Sequence, residues 1–280
     1  MPGFYEFFAG GGMVRAGLGP GWDCLFANDF DAGKAAAYRA NWGGADFRLA
    51  DIGTLSAADL PGRADLMWGS SPCQDLSLAG GGAGLAGARS GAFFAFARIL
   101  GELVEEGRAP RFVAIENVTG LLTSRGGADF AAVAGRFAAL GYRWGAMVAD
   151  AALFLPQSRP RLFVIGAHES LDLSAAPLAA GPEAPFHPEG LIRAVERLPA
   201  ALREEALWWA QPAPATRNFD LIDLIEPDPP AWRSDEETAR LLSLMAPLHR
   251  ARVEAAQRAG RPAVGCVYRR TRRDASGARK

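Results

Sequence analysis

Phe4-Tyr5-Glu6-Phe7-Phe8-Ala9-Gly10-Gly11-Gly12-Met13 opens the chain with a pattern that decides its architecture. The apolar run Phe4 to Phe8 predicts a buried strand, the three glycines a tight turn, and Met13 to Leu18 a helix. A strand, a glycine turn and a helix bring backbone N–H groups to a point where an anionic or polar ligand tail can meet them. The spacing is not G-x-G-x-x-G, so a dinucleotide is not the first expectation, and tight turns need glycine whatever they bind. A second strand, Trp22 to Ala27, ends at Asn28-Asp29-Phe30 and is followed by a helix from Asp31 to Asn41. An acid about 20 residues past a glycine turn is placed to accept hydrogen bonds from ribose hydroxyls. Asp31 is the better-placed helix cap, which frees Asp29 for a ligand, while Phe30 is either a core ring or a platform for a base. A short third strand, Asp46 to Ala50, ends in Asp51-Ile52, where a carboxylate can meet an exocyclic amine. A glycine turn and two acids at three successive strand ends describe an adenosine site. No P-loop lysine accompanies it, so the nucleotide need not carry a triphosphate.

The next strand, Ala64 to Trp68, runs into Gly69-Ser70-Ser71-Pro72-Cys73-Gln74-Asp75-Leu76-Ser77, and a glycine-rich loop spans Ala79 to Gly91. A cysteine at the carboxyl end of a core strand, behind a proline and facing a loop, suits a nucleophile, although most such cysteines are inert. Ala92 to Glu106 carries Phe93, Phe96, Ala97, Leu100 and Val104 at helical spacing. A fifth strand, Phe112 to Ile115, ends in Glu116-Asn117-Val118; a helix from Ala128 to Leu140 leads to a strand or hairpin, Tyr142 to Leu153. Pro156-Gln157-Ser158-Arg159-Pro160-Arg161 then precedes a last apolar strand, Leu162 to Gly166. This alternation predicts an α/β, doubly wound, mostly parallel sheet. Beyond His168 the texture changes. Leu173 to Pro188 reads as a linker, Leu191 to Trp209 and Asp235 to Arg258 as helices, and the proline-rich Pro212 to Trp232 as loops. The expected domains are 1–175 and 176–280.

With 280 residues, 49% hydrophobic and 22% charged, the chain is expected to be a soluble globular protein able to bury a full core. It contains no apolar run of membrane-spanning length, and Met1-Pro2-Gly3-Phe4 lacks a basic region ahead of an apolar one, so the expected location is the cytoplasm, without a membrane partner. Cys24, Cys73 and Cys266 are widely separated and odd in number, which argues against a disulfide framework and a zinc site; no metal is expected. A net charge of −1 does not advertise a nucleic-acid partner, but Arg269, Arg270, Arg272, Arg273, Arg279 and Lys280 crowd the end of the chain. That tail is either a solvated end or a phosphate-contacting edge.

Cys73, Glu116 and Arg161 together suit chemistry on a pyrimidine. A thiolate adds to C6, a protonated carboxyl at N3 stabilises the charge that develops, and a guanidinium holds O2. C5 then becomes a carbanion equivalent able to take an electrophilic methyl group. Phe8-Ala9-Gly10-Gly11-Gly12, Asn28-Asp29-Phe30, Asp51-Ile52, Pro72-Cys73-Gln74, Glu116-Asn117-Val118 and Gln157-Ser158-Arg159-Pro160-Arg161 resemble, in order and spacing, the motifs of the DNA cytosine-5 methyltransferase family. The resemblance covers residues 4 to 167. It implies a Rossmann-like S-adenosylmethionine-dependent methyltransferase fold, double-stranded DNA as substrate, and S-adenosylhomocysteine as product. It makes Cys73 the nucleophile, Glu116 the acid at N3 and the N4 amine, Arg161 the group holding the target ring, and Arg159 a support for the loop and carboxylate. Phe8, Ala9, Gly10, Gly11, Gly12, Asp29, Phe30, Asp51, Ile52 and Pro72 would line the cofactor pocket. Ser71, Gln74, Ser77, Arg89, Asn117 and Val118 would contact DNA, with 79–91 closing over a cytosine flipped from the helix.

The resemblance also departs from the family. The motif that organises the target-recognition region, and the C-terminal motif that completes the cofactor pocket, are not found. Val267 to Asp274 resembles a segment that some bacterial members carry in or just after that region, so 176–280 is expected to be a partial target-recognition region. Four readings stay open: a working DNA methyltransferase with a reduced recognition region, the catalytic half of a split enzyme whose partner polypeptide supplies the missing motifs, a chain that binds cofactor or DNA without turnover, and a tRNA cytosine-5 methyltransferase. The overall texture is closer to a bacterial restriction-modification or phage enzyme.

Overall fold

A computed structural model describes residues 1–71, 91–260 and 263–265. Its chain divides into two compact units: residues Met1–Leu153 with Ser158–Ala215, and Phe154–Gln157 with Thr216–Lys280.

The first unit is built on a seven-stranded sheet. The strands are β1 (Gly3–Phe7), β2 (Asp23–Asp29), β3 (Phe47–Leu49), β4 (Leu66–Gly69), β5 (Phe112–Val118), β6 (Tyr142–Asp150) and β7 (Pro160–His168), in the spatial order β3-β2-β1-β4-β5-β7-β6. The helices α1 (Met13–Leu18), α2 (Ala32–Trp42), α3 (Gly91–Glu105) and α4 (Ala128–Ala139) connect them. All five residues of β1 are buried, as expected of a central strand flanked by β2 and β4 with both faces covered. Helix α3 lays Phe93, Phe96, Ala97, Leu100 and Leu103 into the main core. A Cβ at Gly69 would come within 2.9 Å of Phe96 and 3.1 Å of Ile115, so the carboxyl end of β4 passes between them only as glycine.

The α/β, mostly parallel, doubly wound fold read from the sequence is present, with one reversal. β7 runs antiparallel to both β5 and β6. The pairing extends β5 beyond its expected end at Ile115 to Val118, which lies opposite Arg161, so Glu116 sits inside the strand.

The sequence assigned 176 onward to a second region. In the structure residues 176–215 pack on the sheet of the first unit. Strands β8 (Leu178–Ala179) and β9 (Trp208–Trp209) pair with each other, Leu207 N–H donates to Trp144 O, and Leu191, Ala194, Val195 and Leu198 join the main core. The single helix expected over Leu191 to Trp209 is two, α5 (Glu189–Glu196) and α6 (Ala200–Glu204), because Pro199 stands at the boundary.

The second unit holds α7 (Asp235–Ser243) and α8 (Pro247–Arg258), where one helix over Asp235 to Arg258 was expected. Pro247 opens α8 at its first position, where a missing N–H costs nothing. No described residue of this unit is buried, while Trp232, Leu244 and Leu248 are largely exposed. Among the described residues no helix is long and apolar enough to cross a membrane.

Candidate active site

The chain leaves β1 toward β2 and β3 on one side, and β4 leads to β5 on the other, so a crevice opens at the carboxyl ends of β1 and β4. The glycine turn sits there. Phe8 adopts φ 59°, a left-handed backbone that costs a bulky residue on the order of 1–3 kcal/mol and concentrates at functional positions. Gly10 and Gly12 also have positive φ. Side chains from three elements grip this turn. Gly10 N–H donates to Asp29 Oδ2 at 3.0 Å, Val14 N–H to Glu6 Oε1 at 3.2 Å, and Gly11 O accepts from Asn41 Nδ2 at 3.2 Å and Trp42 Nε1 at 3.0 Å. A Cβ on Gly12 would lie 2.2 Å from Trp42 Nε1, whereas one on Gly10 would meet nothing within 4 Å. The turn is thus closed on the protein side and open at Gly10.

The other expected adenosine contacts lie at the neighbouring strand ends. Asp29 is buried; its Oδ1 accepts from Asp31 N–H at 3.0 Å and its Oδ2 lies 3.7 Å from Lys34 Nζ. Its oxygens therefore shape the turn, and a carboxylate with about four acceptor sites keeps capacity for a ligand hydroxyl. Asp31 caps α2 through Lys34 N–H at 2.9 Å, as read. The Phe30 ring is 62% exposed, available as a platform rather than as core. Asp51 is exposed and accepts from Gly53 N–H at 2.7 Å, while Ile52 is buried. An open glycine turn, an exposed ring and carboxylates at the end of β2 and just past β3 fit an adenosine-bearing ligand.

The second half of the site is at β5 and β7. Arg161 Nε lies 2.9 Å from Glu116 Oε1, both side chains about four-fifths buried at 20% and 23% exposure. The antiparallel ladder causes this pairing: Val118 faces Arg161, and Glu116, two residues back, shares the same sheet face on the diagonal. Arg159 was expected to support the carboxylate, yet it precedes the strand and is exposed; its N–H donates to Asp150 Oδ1 at 2.6 Å. Asp150 also accepts from Ala152 N–H and Ser158 Oγ, and these bonds, the backbone ones foremost, hold its carboxyl below its ordinary range. Asn117 is buried, donating from Nδ2 to Ser71 Oγ at 3.0 Å and accepting from Val118 N–H at 2.8 Å. Its amide ties the end of β5 to the residue two before Cys73, and Trp68 Nε1 donates to Ser70 Oγ at 3.0 Å on the same approach. Pro72, Cys73, Gln74, Ser77 and Arg89 lie outside the described residues, as do Cys266 and the arginine-rich tail.

Sequence reading missed Glu6, Asn41, Trp42 and Asp150. An acid inside the apolar run Phe4 to Phe8 was the signal for Glu6; the other three announce themselves only through their partners. Cys24, read as core, lies 3.5 Å from Tyr38 OH, and burial pushes its thiol up to about 12, so it is a poor nucleophile. His187 is buried against Trp208, and burial lowers its pKa. Among the described residues no group of three or more His, Cys, Asp or Glu is placed to hold a metal ion.

The family model described as C-5 cytosine-specific DNA methylase matches residues 3–207. The type II methyltransferase M.BsuFI of Bacillus subtilis is 33% identical over 173 residues, 61% of this chain and 40% of that protein. M.HaeII of Haemophilus aegyptius is 32% identical over 163 residues, 58% of this chain and 49% of that protein. The chain thus spans less than half the length of either relative. Among solved structures, the Dnmt2 methyltransferase of S. pombe superposes with a TM-score of 0.50 at 22% identity, over 61% of this chain and 52% of that one, a likeness of fold.

Proposed function

We propose, because this chain belongs to the C-5 cytosine-specific DNA methylase family, that it moves a methyl group from S-adenosylmethionine to C5 of a cytosine flipped out of double-stranded DNA. The observation that carries this reading is the Glu116–Arg161 pair, at the strand end next to the one that leads into Cys73. Family and fold are those of S-adenosylmethionine-dependent methyltransferases.

Bound S-adenosylmethionine supplies an electrophilic methyl group and is left as S-adenosylhomocysteine. Phe8, the Gly10–Gly12 turn, Asp29, Phe30, Asp51, Ile52 and Pro72 would hold it. Cys73 Sγ, as thiolate, forms a bond to C6 of the cytosine. Arg161 passes from Glu116 to the O2 carbonyl, and Glu116, released from the ion pair, takes a proton and delivers it at N3. The pyrimidine gains electron density at C5, where the methyl group is accepted. Loss of the C5 proton to solvent and breakage of the Sγ–C6 bond restore the thiolate, and N3 returns its proton to Glu116, which leaves a neutral aromatic ring. Asn117, anchored on Ser71, keeps the nucleophile's strand and the acid's strand in register, and Arg159 stiffens the loop ahead of Arg161 through Asp150.

A second reading concerns assembly. The second unit has no buried residue among those described and leaves Trp232, Leu244 and Leu248 exposed, which favours completion of 176–280, read as a partial target-recognition region, by a further polypeptide. The test is methyl transfer from labelled S-adenosylmethionine to duplex DNA, with tRNA in parallel. Label in DNA cytosine is expected. Label in tRNA alone transfers the assignment to RNA, label in neither with cofactor bound favours a chain that binds without turnover, and label in neither with weak or absent cofactor binding favours the split enzyme.

A further inference from the structure

Trp68, one residue before the end of β4, is half-buried, and its ring meets that of Phe163 edge-on with centroids 5.9 Å apart. Phe163 stands opposite Glu116 in the β5–β7 ladder and two residues from Arg161, so these four side chains share one face of the sheet. Ala114 of β5 lies beside Trp68, and so small a residue lets the indole reach over it to β7. The polar edge of the indole is engaged as well. Its Nε1 donates to Ser70 Oγ at 3.0 Å, while Ser70 N–H donates to Phe7 O at 3.2 Å. A half-buried indole can leave its N–H in water, and a phenylalanine would cover Ala114 equally well, so packing alone does not call for this bond.

Consecutive residues of an extended chain point to opposite faces. Asn117 Nδ2 holds Ser71 at 3.0 Å on one face, and Trp68 holds Ser70 on the other. The end of β4 is thus gripped from both sides: one bond ties it to β5, and the other ties it, through the Trp68–Phe163 contact, to β7. We propose that Trp68 and Ser70 are positioning residues for methyl transfer: their bond, braced by Phe163, fixes the end of β4 against the Glu116–Arg161 pair. The inference rests on the function proposed above. That reaction brings groups from three strands to one pyrimidine, at C6 from β4, at N3 from β5 and at O2 from β7. They act together only while the strand ends keep their spacing, and a misplacement of about 1 Å costs on the order of a hundredfold in rate.

The test is rapid-quench single-turnover transfer to duplex DNA, with calorimetric binding of S-adenosylhomocysteine and of DNA. It compares the full chain with Trp68→Phe, Ser70→Ala, Ser70→Thr and the double variant Trp68→Phe/Ser70→Ala. Trp68→Phe keeps a ring on Phe163 and removes the N–H. Trp68→Phe and Ser70→Ala are each expected to slow transfer about tenfold, with both affinities within about twofold of wild type. The double variant is expected to be no slower than either single one, because both remove the same bond. Ser70→Thr keeps the hydroxyl and is expected to recover most of the rate. Wild-type rates in both single variants, or losses that multiply in the double one, overturn the inference and leave the proposed function standing. A wild-type chain that transfers no methyl group overturns the proposed function, and the inference falls with it. Where Trp68→Phe fails to fold, Ser70→Ala against Ser70→Thr decides.

Discussion

Replacing Glu6 by glutamine is expected to make the fold more resistant to denaturation above neutral pH. The folded chain holds the Glu6 proton up to about 7, against an ordinary value of 4.5, with burial as the dominant cause and hydrogen bonds from Val14 and Arg15 opposing it. That difference, at about 1.4 kcal/mol for each pH unit, corresponds to about 3 kcal/mol of linkage. The folded state binds this proton more tightly than the unfolded state. The contribution to stability is therefore complete below about pH 4.5 and is lost as pH rises through 7. Glutamine does not titrate, so subtracting the variant from the wild type isolates the group. In urea unfolding followed by tryptophan fluorescence, the difference is expected to shift by about 2–3 kcal/mol in favour of Glu6→Gln between about pH 5 and about pH 8. A difference that stays constant across that interval would show that Glu6 is not a buried titrating acid and would refute the reasoning.

Three further substitutions probe the rest of the site. Arg161→Ala leaves Glu116 without its partner and is expected to slow single-turnover transfer by about a hundredfold or more while costing about 1 kcal/mol of stability, read by rapid quench and urea unfolding. Asn117→Ala frees Ser71 and strips Val118 N–H of its acceptor; transfer is expected to fall about tenfold with cofactor affinity unchanged, and stability by about 1–3 kcal/mol. Trp42→Phe removes one donor to Gly11 O, worth about 1 kcal/mol, so cofactor binding is expected to weaken about fivefold in calorimetry with little change in melting temperature.

The sheet was legible because its strands are short apolar runs ending in glycine, acid or cysteine, and Asp31 was legible as a cap because capping is local chemistry. The reversal of β7 was not legible, since buried parallel and antiparallel strands share one apolar pattern and differ only in their neighbours. For the same reason the reach of β5 to Val118, and with it the Glu116–Arg161 pairing, was not legible: the strand was expected to end at Ile115, and Arg159 rather than Arg161 was expected beside the carboxylate. Pro199 and Pro247 were visible breakers inside the two long helical readings, and each in fact begins a new helix. The packing of 176–215 onto the first unit depends on Leu191, Val195 and Leu207 finding a distant surface, which texture alone does not encode. Glu6 was passed over because one acid in an apolar run carries no periodic signal.

The most direct test of the central claim is incubation of the purified chain with S-adenosylmethionine and duplex DNA carrying 5-fluorocytosine. Fluorine cannot leave C5 as a proton does, so the Sγ–C6 bond persists after methyl transfer. The account predicts a covalent protein–DNA adduct that survives a denaturing gel and is absent in Cys73→Ala. An adduct that persists in Cys73→Ala, or methylated cytosine in unmodified DNA with no adduct on the fluorinated duplex, would contradict it.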